Sequence, residues 1–133
     1  MNSLTIEPTT ISPHVSFDMD KGVFIISGYS RPENVRDFYA PIISWLELFR
    51  DQLFREQSEG KTINPIIFNF NLIYFNSSSA KFLYDIVMLL DEVQKKGINL
   101  TIKWHYSKDD SELREAGEDL SDMAQVPFDF IEV

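Results

Sequence analysis

The chain has no cysteine, and its only histidines among 133 residues are His14 and His105. Without cysteine there is no disulfide framework, thiolate metal ligand or cysteine nucleophile, a composition that fits a reducing cytoplasm. The two histidines do not form an HxH or HxxxH pair, so we expect no metal site and no cofactor. No apolar run approaches the roughly 20 residues of a membrane span, and the first residues lack the basic segment and apolar core of a signal peptide.

Positive charge is also scarce. The chain has 12 Lys and Arg residues against 21 Asp and Glu residues, for a formal net charge of −9. Proteins that bind nucleic acid normally present a basic surface to the phosphates. We therefore expect a protein or small-molecule partner, and neither nucleic acid nor a membrane.

The length of 133 residues predicts one domain, over residues 1–133, and hydrophobic periodicity predicts that strands and helices alternate in it. Gly22 lies at the turn of a predicted hairpin, and Pro41 allows either a kink or a late start of the first helix. The predicted elements are strands 14–19 and 23–28, a helix with apolar positions from Val35 to Leu53, strand 65–75, a helix at about 78–96, strand 99–106, an acidic helix 109–124, and a tail or short edge strand 128–133.

Two of these strands alternate between apolar and polar residues, which predicts that helices cover mainly one face of the sheet. The side chains expected to face the helices are Phe68, Phe70, Leu72, Tyr74, Leu100, Ile102, Trp104 and Tyr106. Those expected on the opposite face include Asn69, Asn71, Lys103 and His105. Since the two strands are joined through a helix, we expect them to be parallel. The predicted fold is an α/β domain with a mixed sheet of about four strands, residues 128–133 being a candidate fifth.

The junction between strand 65–75 and the next helix carries the most informative polar residues, Asn76-Ser77-Ser78-Ser79. Asn or Ser at a helix start accepts a hydrogen bond from an unpaired backbone N–H group. The same position carries partial positive charge and also favours a phosphate group. The residues alone favour capping. If strands 23–28 and 65–75 are parallel, this junction and Arg31-Pro32-Glu33-Asn34 lie along one edge of the sheet.

Catalytic and metal-binding motifs are weak. His14 and His105 lie on predicted strands, and the serine cluster lacks the glycines that flank a nucleophile elbow. Asp109-Asp110-Ser111-Glu112 is interpreted as a solvated helix start, because it lacks the glycine and ligand spacing of a calcium loop. The acidic positions of the last helix are a solubility feature or a docking surface. They are Glu112, Glu115, Glu118, Asp119 and Asp122.

Three motifs, in this order, resemble the SiaC family of regulatory phosphoproteins over nearly the whole chain. They are Pro32-Glu33-Asn34, Tyr74-Phe75-Asn76-Ser77-Ser78-Ser79 and Trp104-His105-Tyr106. The resemblance implies a fold similar to the STAS domains of anti-sigma-factor antagonists. It implies phosphorylation by a partner kinase, dephosphorylation by a PP2C-type phosphatase, and activation of a diguanylate cyclase by the unphosphorylated form, in cyclic-di-GMP signalling and biofilm control. The resemblance also implies that the chain is not an enzyme.

The family's phosphate acceptor is the hydroxyl residue directly after the Asn of the strand-end motif, here Ser77. Ser78 and Ser79 are minor candidates, and Glu33, Asn34, Asn76 and Ser77 are expected to form the docking edge. Two alternatives remain. A serine hydrolase would need a histidine within hydrogen-bond reach of the serine cluster. A small-ligand or anion carrier would need an enclosed pocket at the helix start.

Overall fold

The structure, a computed structural model, describes all 133 residues as six strands and three helices. In chain order these are β1 (Leu4–Ile6), β2 (His14–Asp18), β3 (Val23–Ser30), α1 (Val35–Ser58), β4 (Ile66–Phe75), α2 (Ser77–Lys95), β5 (Leu100–Tyr106), α3 (Ser111–Ala124) and β6 (Asp129–Glu132). The predicted elements are confirmed to within a few residues. Helix α1 begins before Pro41 and includes it, so a late start is wrong.

The six strands form one sheet in the order β1-β2-β3-β4-β5-β6, in place of the four or five strands predicted. The pairs β1–β2 and β2–β3 are antiparallel, and the pairs from β3 to β6 are parallel. Strand β1 has only three residues, which is too short for alternation to be recognised in the sequence. Residues 129–132 pair with β5, so the end of the chain is an edge strand and not a tail.

All three helices cover the same face of the sheet. The connections from β3 to β4, from β4 to β5 and from β5 to β6 each contain one helix, and each leads to the next strand in the same direction across the sheet. Because such connections are right-handed, their helices all lie on the same side of the sheet. Phe70 and Trp104 face the helices and are fully buried, as predicted. The opposite face, called the open face below, carries half-buried Asn69, Lys103 and His105. None of the helices is both long and apolar enough to cross a lipid bilayer.

The prediction for Tyr74 is wrong. Gly28 pairs with Leu72 and Tyr29 with Tyr74, so β4 holds one residue more than β3 at Ile73. An inserted residue of this kind is a β-bulge, and it reverses the alternation of all side chains after it. Phe75 therefore packs on Trp104, whereas the Tyr74 side chain is 47% exposed.

Gly117 lies where α3 crosses the Trp104 ring. A Cβ atom at Gly117 would collide with the Trp104 indole, whose Nε1 is the nearest atom. The indole cannot withdraw easily, because it is buried and its Nε1–H donates to the Leu113 carbonyl oxygen at 3.0 Å. This glycine sets the distance between α3 and β5.

Gly117→Ala is expected to lower the free energy of unfolding by about 1 to 3 kcal/mol, the usual range for overpacking. Alanine favours a helix over glycine by about 1 kcal/mol, so a gain in stability is expected only if no contact opposes the methyl group. Urea unfolding followed by Trp fluorescence measures the change. A variant as stable as wild type, or more stable, would show that α3 does not lie this close to Trp104.

Candidate functional site

Three helix starts lie along one edge of the sheet, because β3, β4 and β5 are parallel and each leads into a helix. Each helix is capped by an Asn or Asp side chain at its N-terminus. Asn34 Oδ1 accepts from Asp37 N at 3.1 Å, Asn76 Oδ1 from Ser79 N at 2.9 Å, and Asp110 Oδ1 from Leu113 N at 2.9 Å. In α2 the cap is therefore Asn76, which leaves the Ser77 side chain free of that role.

The three serines that open α2 differ in accessibility. Ser77 and Ser78 are exposed, whereas Ser79 is fully buried. Ser79 Oγ donates to the Ser30 carbonyl oxygen at 3.1 Å, and Ser30 Oγ donates to Ser79 Oγ at 2.9 Å. Its burial makes Ser79 unsuitable as a phosphate acceptor while the protein is folded. Ser77 and Ser78 remain candidates.

A buried hydroxyl network holds the start of α2 in place. Ser30 Oγ lies 2.5 Å from the Tyr39 hydroxyl, and Asn76 N donates to the Ser30 carbonyl oxygen at 3.0 Å. Burial raises the pKa of Tyr39 to about 12, so its hydroxyl is neutral at physiological pH. The network connects the end of β3, the first turns of α1 and the start of α2. The network could not be predicted from the sequence, because the spacing of Ser30, Tyr39 and Ser79 carries no recognisable signal.

Ser77 borders an open cleft of about 330 Å³ between the end of β4 and the start of α3. The cleft is lined by Ile73, Tyr74, Phe75, Asn76, Ser77, Asp110, Glu112, Leu113 and Ala116. Its charged side chains are Asp110 and Glu112, and its lining includes no lysine or arginine. Two carboxylates disfavour a bound anion, which is an argument against the anion-carrier alternative.

The predicted docking edge lies beside this cleft. Glu33 and Asn34 are exposed before α1 and share the edge with Asn76 and Ser77, as expected. The other wall of the cleft, however, is formed by Asp110, which caps α3, and by residues of α3 that include Glu112. The sequence indicated a solvated helix start here, and left the acidic face of the helix as a solubility feature or a docking surface. Sequence distance concealed this proximity, since residue 110 lies more than 30 positions from Ser77.

Both histidines lie on the open face, away from the helix layer that contains Ser77. His105 Nε2 is 2.9 Å from Asn69 Oδ1, and burial together with the nearby Lys103 lowers the pKa of His105. His14 begins β2 and pairs with Ser27 of β3. Neither placement provides the serine–histidine contact that the hydrolase alternative requires.

Comparison with known proteins shows the family of the chain. The family model described as "SiaC family regulatory phosphoprotein" matches residues 6–133. This chain belongs to the SiaC family. The resemblance found in the sequence is confirmed, and with it the description of the chain as a regulatory phosphoprotein.

Relatives match over almost their whole length. An uncharacterized protein of Pseudomonas aeruginosa is 29% identical over 128 residues, which are 96% of this chain and 94% of that protein. The crystal structure of apo-SiaC from P. aeruginosa is 28% identical, with a TM-score of 0.78 over 99% of this chain and 98% of that one. SiaC from the same organism, solved in complex with the diguanylate cyclase SiaD that it activates, is 27% identical, with a TM-score of 0.82 over 98% and 99% of the two chains.

Proposed function

We propose that this chain is a non-enzymatic phospho-switch that, when unphosphorylated, binds and activates a diguanylate cyclase in the cytoplasm. Ser77 is the proposed phosphate acceptor, and Glu33, Asn34, Asn76 and Ser77 form part of the docking edge. A partner kinase adds the phosphate and a PP2C-type phosphatase removes it. The observation that carries the proposal is the match of nearly the whole chain to a SiaC protein solved with the cyclase that it activates.

The position of Ser77 supports its role as acceptor. Ser77 is exposed in the first turn of α2, it does not serve as the cap, and it lines a cleft. A kinase can therefore reach it without opening the fold. Ser78 shares the exposure but does not line the cleft.

The charge of the cleft explains how a phosphate would act. Phosphoserine brings about −1.5 to −2 charges, which the helix N-terminus favours by roughly 0.3 to 1 kcal/mol, so the fold should persist. The cleft itself supplies only the carboxylates of Asp110 and Glu112 and no cation. A partner surface that fits the neutral Ser77 hydroxyl would have to desolvate the phosphate, at a cost of several kcal/mol. Binding is then lost while the protein stays folded.

An activity assay tests the proposed function. The purified cognate cyclase is incubated with GTP, with and without this chain, and the cyclic-di-GMP formed is measured. We expect the unphosphorylated chain to raise the rate, and prior treatment with kinase and ATP to abolish the increase. A rate that does not respond to the unphosphorylated chain would contradict the proposal.

Ser77→Ala is expected to remove most of the phosphate that the cognate kinase adds to the wild-type chain. Intact-mass measurement after incubation with ATP should show one phosphate on the wild type and almost none on this variant. Ser78→Ala is the matched control, because Ser78 is also exposed in the same helical turn. If Ser78→Ala loses the phosphate and Ser77→Ala keeps it, the acceptor is Ser78.

A further inference from the structure

Strand β6 forms one edge of the sheet and pairs with β5 alone. Val133, directly after β6, directs both of its backbone groups toward β5. Its N–H donates to the Tyr106 carbonyl oxygen at 2.9 Å, and its carbonyl oxygen accepts from Lys108 N at 3.4 Å. Along a strand, the backbone groups of successive residues point alternately to the two sides. Those of Phe130 and Glu132 therefore point away from β5, so this edge presents their N–H and carbonyl groups without a strand partner.

A hollow of about 490 Å³ lies beside this edge, between the end of α3 and β6. It is lined by Ser121, Asp122, Gln125, Val126, Pro127, Phe128 and Phe130. Phe130 shares the helix side of the sheet with its register partner Trp104, and its ring centroid is 6.1 Å from that of the buried Phe128. A strand added along β6 would point every second side chain to this side. The hollow is thus placed to receive side chains of an added strand, as pockets beside a sheet edge do when they bind extended peptides.

The charge along this edge is negative. Asp122, Asp129 and Glu132 are exposed and form no ion pair, and Lys103, the register partner of Asp129 on β5, is no exception. Neither β6 nor the lining of the hollow contains a lysine or an arginine. A strand that carries basic side chains complements these carboxylates. A second copy of the chain would instead bring like charges side by side, which destabilises strand pairing.

We propose that the outer edge of β6 binds an extended, basic segment of a partner protein, which adds a strand to the sheet. The segment pairs with the backbone of Phe130 and Glu132, places an apolar side chain in the hollow, and sets Lys or Arg next to Asp129 and Glu132. Four residues of β6 span about 13 Å, so a segment of four or five residues covers the edge. None of the residues that line the Ser77 cleft lines this hollow, so the inference is independent of the proposed function.

Peptide titration of the ¹⁵N-labelled full chain, followed by NMR, tests strand addition. The probe is the peptide acetyl-Lys-Val-Thr-Val-Thr-Val-Lys-amide. We expect the amide signals of Phe130 and Glu132 to shift and their exchange with solvent to slow. The amides of Asp129 and Ile131 point toward β5 by the same alternation, so they should be protected with and without peptide. The same peptide with glutamate in place of both lysines should bind at least tenfold more weakly.

A matched pair of variants separates the backbone of the edge from its charge. Glu132→Ala and Glu132→Pro both remove the carboxylate, but only proline also removes the outward N–H group. Proline is tolerated on an edge strand where the N–H faces away from the neighbouring strand, and the preceding Ile131 is already extended. We expect the Kd for the lysine peptide to be about tenfold higher for Glu132→Pro than for Glu132→Ala, as the loss of a hydrogen bond implies. Melting curves establish that both variants are folded.

Three results would overturn the inference. The first is the absence of a saturable shift at Phe130 and Glu132 with millimolar lysine peptide. The second is an equal Kd for the two Glu132 variants, which would mean that the backbone of the edge takes no part in binding. The third is a self-association of the chain in sedimentation that Glu132→Pro abolishes and Glu132→Ala keeps, since a second copy would then occupy the edge. None of these results bears on cyclase activation or on Ser77.

Discussion

Phe70→Ala is expected to lower the free energy of unfolding by about 3 to 5 kcal/mol, the range for removing a buried aromatic ring. Phe70 is completely buried on β4, a central strand that pairs in parallel with β3 on one side and β5 on the other. Its ring centroid lies 4.9 Å from that of Phe68, 5.5 Å from Trp104 and 6.3 Å from Phe128. Alanine would leave a cavity among rings that cannot all shift to fill it.

Tyr74→Ala is the matched control, because the same strand carries both residues and Tyr74 is 47% exposed. Urea unfolding should show a loss below about 1 kcal/mol for this variant, as is usual for surface substitutions. A loss below about 1 kcal/mol for Phe70→Ala, or a larger loss for Tyr74→Ala than for Phe70→Ala, would mean that the faces of β4 are assigned the wrong way round.

Phosphorylation of Ser77 is expected to weaken cyclase binding at least a hundredfold. The cost of desolvating the phosphate beside Asp110 and Glu112 is several kcal/mol, and each 1.4 kcal/mol corresponds to a factor of ten in Kd. Ser77→Asp should have a smaller effect of the same sign, because a carboxylate supplies about one charge and two oxygens. Ser77→Ala should keep full binding even in the presence of kinase and ATP.

Ser78→Asp provides the control for charge alone. It places the same carboxylate one residue further along the same turn, outside the cleft lining. If Ser78→Asp weakens cyclase binding as much as Ser77→Asp does, general repulsion and not the cleft accounts for the effect. Melting curves of both variants should match that of wild type, since the helix N-terminus tolerates added negative charge.

The sequence allowed most of the fold to be predicted, because its long helices and central strands have strong periodicity. The junction at Asn76 and Ser77 was also recognisable, since polar helix-start residues follow directly on an apolar strand. Prediction failed where a single residue breaks the regular pattern. The extra residue at Ile73 turned Tyr74 outward, and nothing in the local sequence distinguishes it from a regular strand residue.

The surroundings of Ser77 could not be predicted for a different reason. Its cleft is completed by Asp110 and Glu112, and its helix is held by Ser30 through hydrogen bonds to Asn76 and Ser79. These contacts join elements that are distant in the chain. Their residue types are ordinary for loops and helix starts, so only the register of the sheet and the position of α3 reveal that they meet.

Calorimetric titration of the cyclase with fully phosphorylated and unphosphorylated wild-type chain tests the central claim most directly. Intact mass establishes that each preparation carries one phosphate or none. The switch at Ser77 predicts tight binding of the unphosphorylated chain and at least a hundredfold higher Kd for the phosphorylated chain. Melting curves should show that both preparations are folded. Equal affinity of the two preparations for the cyclase would contradict the switch and leave Ser77 as an ordinary residue in the first turn of α2.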